Sequence, residues 1–280
     1  MRKINFTKMH GAANDFVLVD DREGTFPLQS QLLAALAARR TGIGCEGIIL
    51  VQPSEIADFR MRFFNPDGTE VELCGNGSRC VAAFAKKIGA ARSSAMTIET
   101  FAGLVDAEVI SQDQVRLWMP EPADRRYGLR VQTEEKVVTG DFIRVGVPHF
   151  VVQVPSVAKV DVAKEGRELR ISDVFAPNGT NIDFVQIVSP NKVMIRTYER
   201  GVEAESGACG TGAVASAIVA VEKMKSSLPL QVRTMHGFNL TVDGDYRQSR
   251  STGITLTGPV HTVYEGEIDL DSLDLQNGMR

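Results

Sequence analysis

One short pattern, which occurs twice, constrains this chain more than any other feature. Cys-Gly-x-Gly precedes a run of small and apolar residues at Cys74 and again at Cys209, about half the 280-residue chain apart. In both places an apolar, strand-like segment and an acidic loop come first. Both halves therefore predict a strand, a loop, Cys-Gly-x-Gly and a small-residue helix. We interpret this as an internal duplication that gives two similar α/β halves.

The alternation of apolar and polar residues predicts strands and helices along both halves. In the first half we expect a strand pair from Ile4 to Val19 around a loop at His10–Asn14. Further strands are predicted at 48–51, 61–64, 96–100, 104–110 and 115–119, with helices at 30–40 and 78–88. In the second half the pattern predicts a strand at 192–198, a loop at 199–208 and a helix at 213–224. Pro120-Glu-Pro122 breaks the pattern near the expected domain boundary.

Composition restricts the class of partner. Asp and Glu total 35 against 31 Lys and Arg, so no basic excess is available for nucleic acid or for an acidic membrane surface. No run approaches the roughly 18 apolar residues of a spanning helix, and the N-terminus reads as a strand, not as a signal peptide. Four cysteines are too few for a disulfide scaffold. We expect a cytoplasmic protein with free thiols and a small-molecule substrate.

A cysteine at a helix N-terminus lies beside unbonded backbone N–H groups and the positive end of the helix dipole. Both features favour the thiolate and predict a lowered pKa for Cys74 and Cys209. The same N–H groups can bind a carboxylate, and the glycines allow its close approach. Each motif could therefore activate a sulfur and hold an anionic substrate.

Inverting a carbon next to a carboxylate without a cofactor requires a base on one face and an acid on the other. A thiolate and a thiol meet this requirement, so the paired motifs favour an amino-acid racemase or epimerase. The alternative is that Cys74 and Cys209 only pack at the start of tight helices. Cys45 and Cys80 lack the following Gly-x-Gly, and we interpret both as packing residues, Cys80 on the inner face of the first helix. The four cysteines also lack the close spacing of a zinc site, so no metal is expected.

Longer motifs surround both cysteines and extend over nearly the whole chain. Together they resemble the diaminopimelate epimerase family. The motifs are Lys8-Met-His-Gly-Ala-Ala-Asn-Asp-Phe16, Phe64-Asn-Pro-Asp-Gly-Thr-Glu70, Leu73-Cys-Gly-Asn-Gly-Ser-Arg-Cys80, Phe175-Ala-Pro-Asn-Gly-Thr-Asn181, Tyr198-Glu-Arg-Gly-Val-Glu203, Ala208-Cys-Gly-Thr-Gly212 and Leu256-Thr-Gly-Pro259.

The resemblance implies an α/β (α+β) fold of two pseudo-symmetric domains, each a β-barrel-like sheet around a central helix. The first domain would span 1–118 and be completed by 262–280, whose strand returns to it, and the second would span 119–261. The active site would lie in the cleft between them. The implied reaction interconverts LL-2,6-diaminopimelate and its meso isomer, with Cys74 and Cys209 as the acid–base pair. It needs no pyridoxal phosphate or metal, and a homodimer is implied.

The resemblance also implies roles for other residues. The non-reacting end of the substrate would be held by Asn14, Asn65, Asn181, Glu199 and Arg200. These residue types suit the task, because Arg200 can bind a carboxylate in a bidentate fork and Glu199 can pair with an ammonium group.

Backbone donors for the reacting carboxylate would come from Gly75, Asn76, Gly210 and Thr211. His149, with Glu199, would set the protonation of the thiols. Taken singly, asparagines in turns and an exposed charge pair have ordinary structural explanations.

The chain departs from the family pattern at three places. Val147 stands where many members have a substrate-contacting asparagine, and Gly47 where some have glutamine. Met235-His-Gly-Phe238 replaces a Pro-Gly-Gly turn, and we interpret His236 as a surface residue. The first two departures remove polar groups from the expected substrate site.

Two other functions remain open. Gly42-Ile-Gly-Cys-Glu-Gly47 and Gly210-Thr-Gly-Ala-Val-Ala215 fit dinucleotide-binding patterns, although the first follows a helix and the second follows a long loop, against the required strand–turn–helix order. A racemase for another amino acid, such as a proline- or histidine-type enzyme on the same fold, is the nearer alternative. The Glu199–Arg200 pair favours a substrate with a second zwitterionic end.

Overall fold

A computed structural model of the chain shows a mixed α/β fold in which strands predominate, as predicted. The structure describes residues 2–71, 74–247, 250–273 and 275. Leu73 of the first cysteine motif, and residues 274 and 276–280 of the predicted first domain, lie outside the described residues. The chain divides into two compact units, Met1–Leu117 with Gly258–Arg280, and Trp118–Thr257. That the two parts are independent domains with the predicted boundaries stays a prediction.

The first unit contains two helices and a continuous series of paired strands. Its helices are α1 (Ser30–Ala37) and α2 (Gly75–Lys87). Its strands are β1 (Lys3–Gly11), β2 (Asn14–Asp20), β3 (Gly47–Gln52), β4 (Phe59–Phe64), β5 (Glu70–Val71), β6 (Ala95–Thr100), β7 (Gly103–Ser111), β8 (Gln114–Trp118) and β18 (His261–Asp269).

The second unit has the same kinds of element in the same order, except that its first strand corresponds by its pairing to the last strand of the first unit. Its helices are α3 (Val162–Arg170) and α4 (Gly210–Lys223). Its strands are β9 (Ala123–Gln132), β10 (Val137–Val145), β11 (Val147–Gln153), β12 (Asn181–Ser189), β13 (Lys192–Glu199), β14 (Ala204–Ser206), β15 (Leu230–Arg233), β16 (Asn239–Arg247) and β17 (Arg250–Pro259).

Strand pairing repeats between the units. In the first unit, β1 pairs antiparallel with β18 and β2, β2 pairs parallel with β3, and β3 pairs antiparallel with β4. β4 then pairs parallel with β6, which leads to β7 and β8. The second unit repeats every step with β10, β9, β11, β12, β13, β15, β16 and β17. The duplication inferred from the cysteine motifs is thus present in the topology.

In each unit the helix after the cysteine is the central one. α2 contacts β1, β2, β3, β4 and β7, and α4 contacts β10, β11, β12, β13, β15 and β16. α4 is buried from Gly210 to Ala220 apart from Thr211, which explains why this stretch consists of small and apolar residues, with Ser216 as its one buried polar side chain. The other helix packs outside the sheet, so β3 is covered on both faces. Ile48 and Leu50 join the α1 core, whereas Ile49 points to α2.

Three predicted helix boundaries were wrong, and one predicted loop contains a strand. α1 ends at Ala37, not at Arg40, because the chain turns back and the N–H groups of Ile43 and Gly44 bind the Leu36 carbonyl. α2 and α4 begin at the glycine directly after each cysteine, so the Gly-x-Gly run forms the first helical turn, not a loop. The predicted loop at 199–208 contains the short strand β14.

The described part of the chain contains no helix with both the length and the apolar character needed to cross a membrane.

Candidate active site

Cys74 is the N-cap residue of α2. Its sulfur accepts a hydrogen bond from the backbone N–H of Gly77 at 3.4 Å, and its carbonyl accepts one from Ser78 at 2.7 Å. The thiol donates to Oδ1 of Asn14 at 3.7 Å. The sulfur therefore sits where the first N–H groups of the helix point, as the sequence predicted.

Asn14 contacts both Cys74 and Asn76 in the first cysteine site. It follows a turn in which Ala12 and Ala13 both have positive φ, and it starts β2. Its Oδ1 accepts from the Asn76 amide at 3.3 Å as well as from the thiol, and its own amide donates to Glu46. Two predicted site residues, Asn14 and Asn76, are thus brought together with Cys74.

Cys209 is the N-cap residue of α4 and is 7% exposed. Its sulfur lies 3.5 Å from the Thr211 hydroxyl, which is 3.0 Å from Nε2 of His149. Nδ1 of His149 lies 2.7 Å from a carboxylate oxygen of Asp183. Carboxylate, imidazole, hydroxyl and thiol therefore form one chain of contacts, and His149 reaches the sulfur through Thr211.

The predicted lowering of the Cys209 pKa was wrong. Burial raises the pKa of this thiol well above its ordinary value, and the negative charges of Glu199 and Asp183 raise it further. The Thr211 hydroxyl and the Gly212 N–H act in the opposite direction but are weaker. The helix N-terminus does not compensate for the loss of water and for two nearby carboxylates.

Asp183 was missed from the sequence. It is fully buried on β12, and its Oδ1 accepts from the Thr197 hydroxyl at 2.7 Å. A Cβ at Gly212 would lie only 2.5 Å from Oδ1, so glycine is required where the helix passes over this carboxylate. The available signal was one acidic residue among apolar ones, between Ile182 and Phe184 and two residues after Asn181.

Asn181 and Arg200 form a second pair of predicted residues that the structure brings together. Asn181 is 3% exposed, and its Oδ1 accepts from the Arg200 backbone N–H at 2.8 Å. Its amide donates to the Pro148 carbonyl at 3.1 Å. The Arg200 side chain reaches the Asn178 carbonyl at 3.4 Å. Asn181 therefore fixes the backbone at Arg200, directly after Glu199 at the end of β13.

Asn65 lies in the first unit, directly after β4. Its backbone closes a turn with Gly68 and Thr69, at 2.9 Å for both hydrogen bonds. Its half-buried side chain makes no hydrogen bond to the residues that the structure describes.

Space explains one departure from the family pattern. A Cβ at Gly47 would lie 2.2 Å from the ring of Phe63, so a side chain there would have to displace that ring. Val147 begins β11 and pairs with Val145, adding an apolar side chain near His149. His236 is exposed, as predicted.

The other two cysteines are buried, as predicted. Burial raises the pKa of Cys45 to about 11 and that of Cys80 to about 12. Within the described residues, no three His, Cys, Asp or Glu side chains cluster as a metal site requires.

Glu199→Gln is expected to lower the pKa of the Cys209 thiol, because it removes one of the two negative charges that raise that pKa. The measurement is the pH dependence of Cys209 alkylation by iodoacetamide in a Cys74→Ala background, with the site read by peptide mass mapping. The alkylation midpoint should move to lower pH. Glu203→Gln is the matched control, because Glu203 lies in the same loop and pairs with Arg170. An equal midpoint in Glu199→Gln and the control would contradict the electrostatic assignment.

Comparisons with known proteins give one and the same family over nearly the full length of this chain. The family model described as "Diaminopimelate epimerase" matches residues 6–123 and 142–263. The diaminopimelate epimerase of Aquifex aeolicus (strain VF5) is 40% identical over 287 residues, covering 97% of this chain and 100% of the relative. That of Chlorobaculum tepidum is 40% identical over 265 residues, covering 94% and 100%.

Solved structures share the fold at low sequence identity. The Bacillus anthracis phenazine biosynthesis protein of the PhzF family superposes with a TM-score of 0.73 at 19% identity, covering 96% of this chain and 100% of that one. A hydroxyproline epimerase from Agrobacterium vitis, solved with bound trans-4-OH-L-proline, gives a TM-score of 0.71 at 20% identity, covering 99% and 95%.

Proposed function

This chain belongs to the diaminopimelate epimerase family, and from that membership we propose a reaction in which Cys74 and Cys209 exchange one proton at an amino-acid α-carbon. The enzyme is an isomerase that interconverts LL-2,6-diaminopimelate and the meso isomer, a step of lysine and peptidoglycan-precursor biosynthesis. The observation that carries the mechanism is the placement of both sulfurs at the N-cap of a central helix in two units of equal topology.

The proton transfer balances within the two thiols. The thiolate removes the α-proton from one face of the carbon and becomes a thiol, and the electron pair passes into the carboxylate. The second thiol then donates its proton to the opposite face and becomes a thiolate. The reverse reaction starts from that protonation state, so the pair serves both directions without a further proton donor.

The first helical turns supply the stabilisation that this carbanionic intermediate needs. Backbone N–H groups at Gly75 and Asn76, and at Gly210 and Thr211, lie at the two helix N-termini. Such groups stabilise negative charge that develops on carboxylate oxygens. Nothing lies within 4 Å of a Cβ placed on Gly75, so space for a ligand is open there.

His149 and Glu199 act on the protonation of Cys209. Glu199 favours the thiol by its charge, and His149 contacts Thr211, whose hydroxyl lies beside the sulfur. Because Asp183 holds Nδ1 of His149, the ring orientation is fixed and Nε2 faces the hydroxyl. This arrangement favours Cys209 in its protonated form, ready to act as the proton donor.

The non-reacting end of the substrate is assigned to Asn14, Asn65, Asn181, Glu199 and Arg200. The guanidinium of Arg200 binds the distal carboxylate, and the Glu199 carboxylate attracts the distal ammonium. Asn181 contributes indirectly as well, because its amide oxygen holds the Arg200 backbone.

We also propose that the enzyme acts as a cytoplasmic homodimer, without nucleic acid or a membrane as partner. The net charge of −4 supports the exclusion of polyanions, and the family resemblance supports the dimer.

The function is tested by incubating reduced enzyme with LL-diaminopimelate and following the meso isomer by chiral chromatography, with L-proline and L-histidine in parallel. Conversion of diaminopimelate alone is the expected result. Turnover of proline or histidine in its place would overturn the substrate and would direct attention to Val147 and Gly47.

A further inference from the structure

Three buried polar side chains lie on adjacent strands under the start of α4. This polar trio consists of His149 on β11, Asp183 on β12 and Thr197 on β13, and each side chain belongs to a residue that is at most 2% exposed. Asp183 joins the other two, because its Oδ2 lies 2.7 Å from Nδ1 of His149 and its Oδ1 accepts from the Thr197 hydroxyl at 2.7 Å. Burying a carboxylate costs free energy even when it is hydrogen-bonded, so the trio needs a reason beyond packing.

The first unit has apolar, buried residues at the three equivalent positions: Phe16 for His149, Ile49 for Asp183 and Phe63 for Thr197. Each set occupies the same register in the parallel strand pair and in the antiparallel pair that follows it. Gly77 and Gly212, the third residues after the two cysteines, agree with this match. A Cβ on the first would lie 3.0 Å from Ile49, and a Cβ on the second 2.5 Å from Asp183. The same framework therefore folds with an apolar set, and the polar trio is not a requirement of the fold.

Hydrogen-bond chemistry fixes the direction of each contact between Asp183 and Cys209. A carboxylate only accepts, so Nδ1 of His149 carries the hydrogen and Nε2 carries a lone pair. The Thr211 hydroxyl, 3.0 Å from Nε2, therefore donates to that nitrogen. Its oxygen keeps lone pairs for the Cys209 thiol, whose sulfur lies 3.5 Å away. Every group in the series thus faces the next one as a matched donor and acceptor.

We propose that the Thr211 hydroxyl passes a proton between the Cys209 sulfur and Nε2 of His149, and that Asp183 is the positioning residue that keeps Nε2 open to receive it. The inference rests on the proposed function and deepens it, because it adds two residues to the acid–base machinery of Cys209. The S–H bond breaks as an O–H bond forms at Thr211, while the former O–H bond of Thr211 breaks as an N–H bond forms at Nε2. A thiolate and an imidazolium result, Thr211 is unchanged, and the reverse transfer restores the starting state.

The relay gives a buried sulfur a partner for its proton. Cys209 is 7% exposed, so few water molecules can reach its thiol. With the relay, Cys209 can begin a turnover as a thiol or as a thiolate, and in the second case the proton waits on His149. The Asp183 carboxylate then lies against an imidazolium and stabilises its charge. Such a cysteine can serve both directions of an isomerisation.

Thr211→Val and Thr211→Ser test the hydroxyl. Valine removes it, keeps the shape of the side chain, and leaves both the Thr211 backbone N–H and the Asp183 charge in place. With diaminopimelate as substrate, kcat of Thr211→Val should fall by about 10²-fold, the lower end of the range for an acid–base group, while KM stays within a few-fold of wild type. The loss should be equal in both directions, because a variant does not change the equilibrium between the isomers. Thr211→Ser retains a hydroxyl and should keep most of the activity.

Thr234→Val is the matched control for the loss of a hydroxyl. Thr234 lies in the same unit and is 3% exposed, and its hydroxyl makes no hydrogen bond within the part of the chain that the structure describes. Its kcat should equal that of wild type, and its unfolding temperature should be equal or higher. A Thr211→Val enzyme as fast as this control would overturn the relay, as would a Thr211→Ser enzyme as slow as Thr211→Val.

Nitrogen NMR of protein labelled with ¹⁵N-histidine tests the role of Asp183 without substrate. The chain has four histidines, and His149→Gln identifies the His149 signals. In the wild-type protein Nδ1 should carry the hydrogen and Nε2 should carry none. Asp183→Asn keeps the shape of the side chain but can donate to Nδ1, so the preference should be lost or reversed, and kcat should fall with KM retained. Asp141→Asn is the control with unchanged His149 signals, because Asp141 binds the Gly128 N–H.

Hydrogen on Nε2 in the wild-type protein would overturn the proposed role of Asp183, as would an unchanged His149 tautomer in Asp183→Asn. Thermal unfolding of the same variants identifies a purely structural role, which would lower the unfolding temperature and leave the tautomer as in wild type. If Asp183→Asn does not fold, the wild-type tautomer and the Thr211 variants still decide the proposal. If the wild-type enzyme fails to isomerise diaminopimelate, the proposed function falls, while the tautomer of His149 still tests Asp183.

Discussion

Replacing either Cys74 or Cys209 by alanine is expected to lower the rate of isomerisation by about 10³-fold, within the range for losing a positioned acid or base. Each variant lacks one member of a pair that must act on opposite faces of the carbon, so neither direction of the reaction survives. The measurement is the initial rate of meso-diaminopimelate formation from the LL isomer, and of the reverse reaction, at saturating substrate.

Cys45→Ala is the matched control for both variants. Cys45 belongs to the α1 core with Leu36 and Leu50, and burial keeps its thiol protonated. Its loss should reduce stability modestly and leave the rate per folded enzyme within a few-fold of wild type. Equal rates in Cys45→Ala and in either Cys74→Ala or Cys209→Ala would contradict the two-base mechanism.

Arg200→Met is expected to lower kcat/KM by about 10² to 10³-fold, because it removes the charged group that we propose binds the distal carboxylate. The distal end does not react, so its contacts are the same in ground state and transition state. Most of the loss should therefore appear as a higher KM, with a smaller change in kcat. Steady-state kinetics over a wide range of substrate concentration provide the measurement.

Arg167→Met is the control for this variant, because Arg167 is exposed on α3. Its kinetics and unfolding temperature should match those of the wild-type enzyme. The Arg200 side chain is only half-buried, so Arg200→Met should also keep the unfolding temperature of the wild-type enzyme. A change confined to stability, with KM intact, would show that Arg200 does not bind the substrate.

Many strands and helices could be predicted, because the same order of strand, loop, Cys-Gly-x-Gly and helix is visible in both halves of the sequence. Strands with regular alternation, such as β4, β7 and β13, were found within about two residues of their ends. The end of α1 was misjudged because the bonds that end it come from residues 43–45, which fold back onto the Leu36 and Ala37 carbonyls. No local pattern at Arg40 reveals that return.

The protonation of Cys209 shows where the prediction from the helix position failed. A helix terminus contributes about 0.3 to 2 kcal/mol to a nearby charge, whereas full burial can shift a pKa by 3 to 5 units. Burial depends on the whole unit, and Asp183 reaches the sulfur's surroundings from a strand far away in sequence. The motif correctly predicted that the thiol lies at a helix N-terminus, but it gave no information on the burial of the thiol or on the nearby carboxylates.

Isomerisation of LL-diaminopimelate in D₂O tests the two-base mechanism most directly. Deuterium is followed by mass spectrometry at the α-carbon of both the meso product and the recovered substrate at low conversion. Two thiols predict deuterium in the product from the first turnovers, because the donating thiol has exchanged with solvent, and almost none in the recovered LL isomer. Product that retains the original hydrogen, or substrate that gains deuterium as fast as product forms, would indicate a single base and contradict the assignment of Cys74 and Cys209.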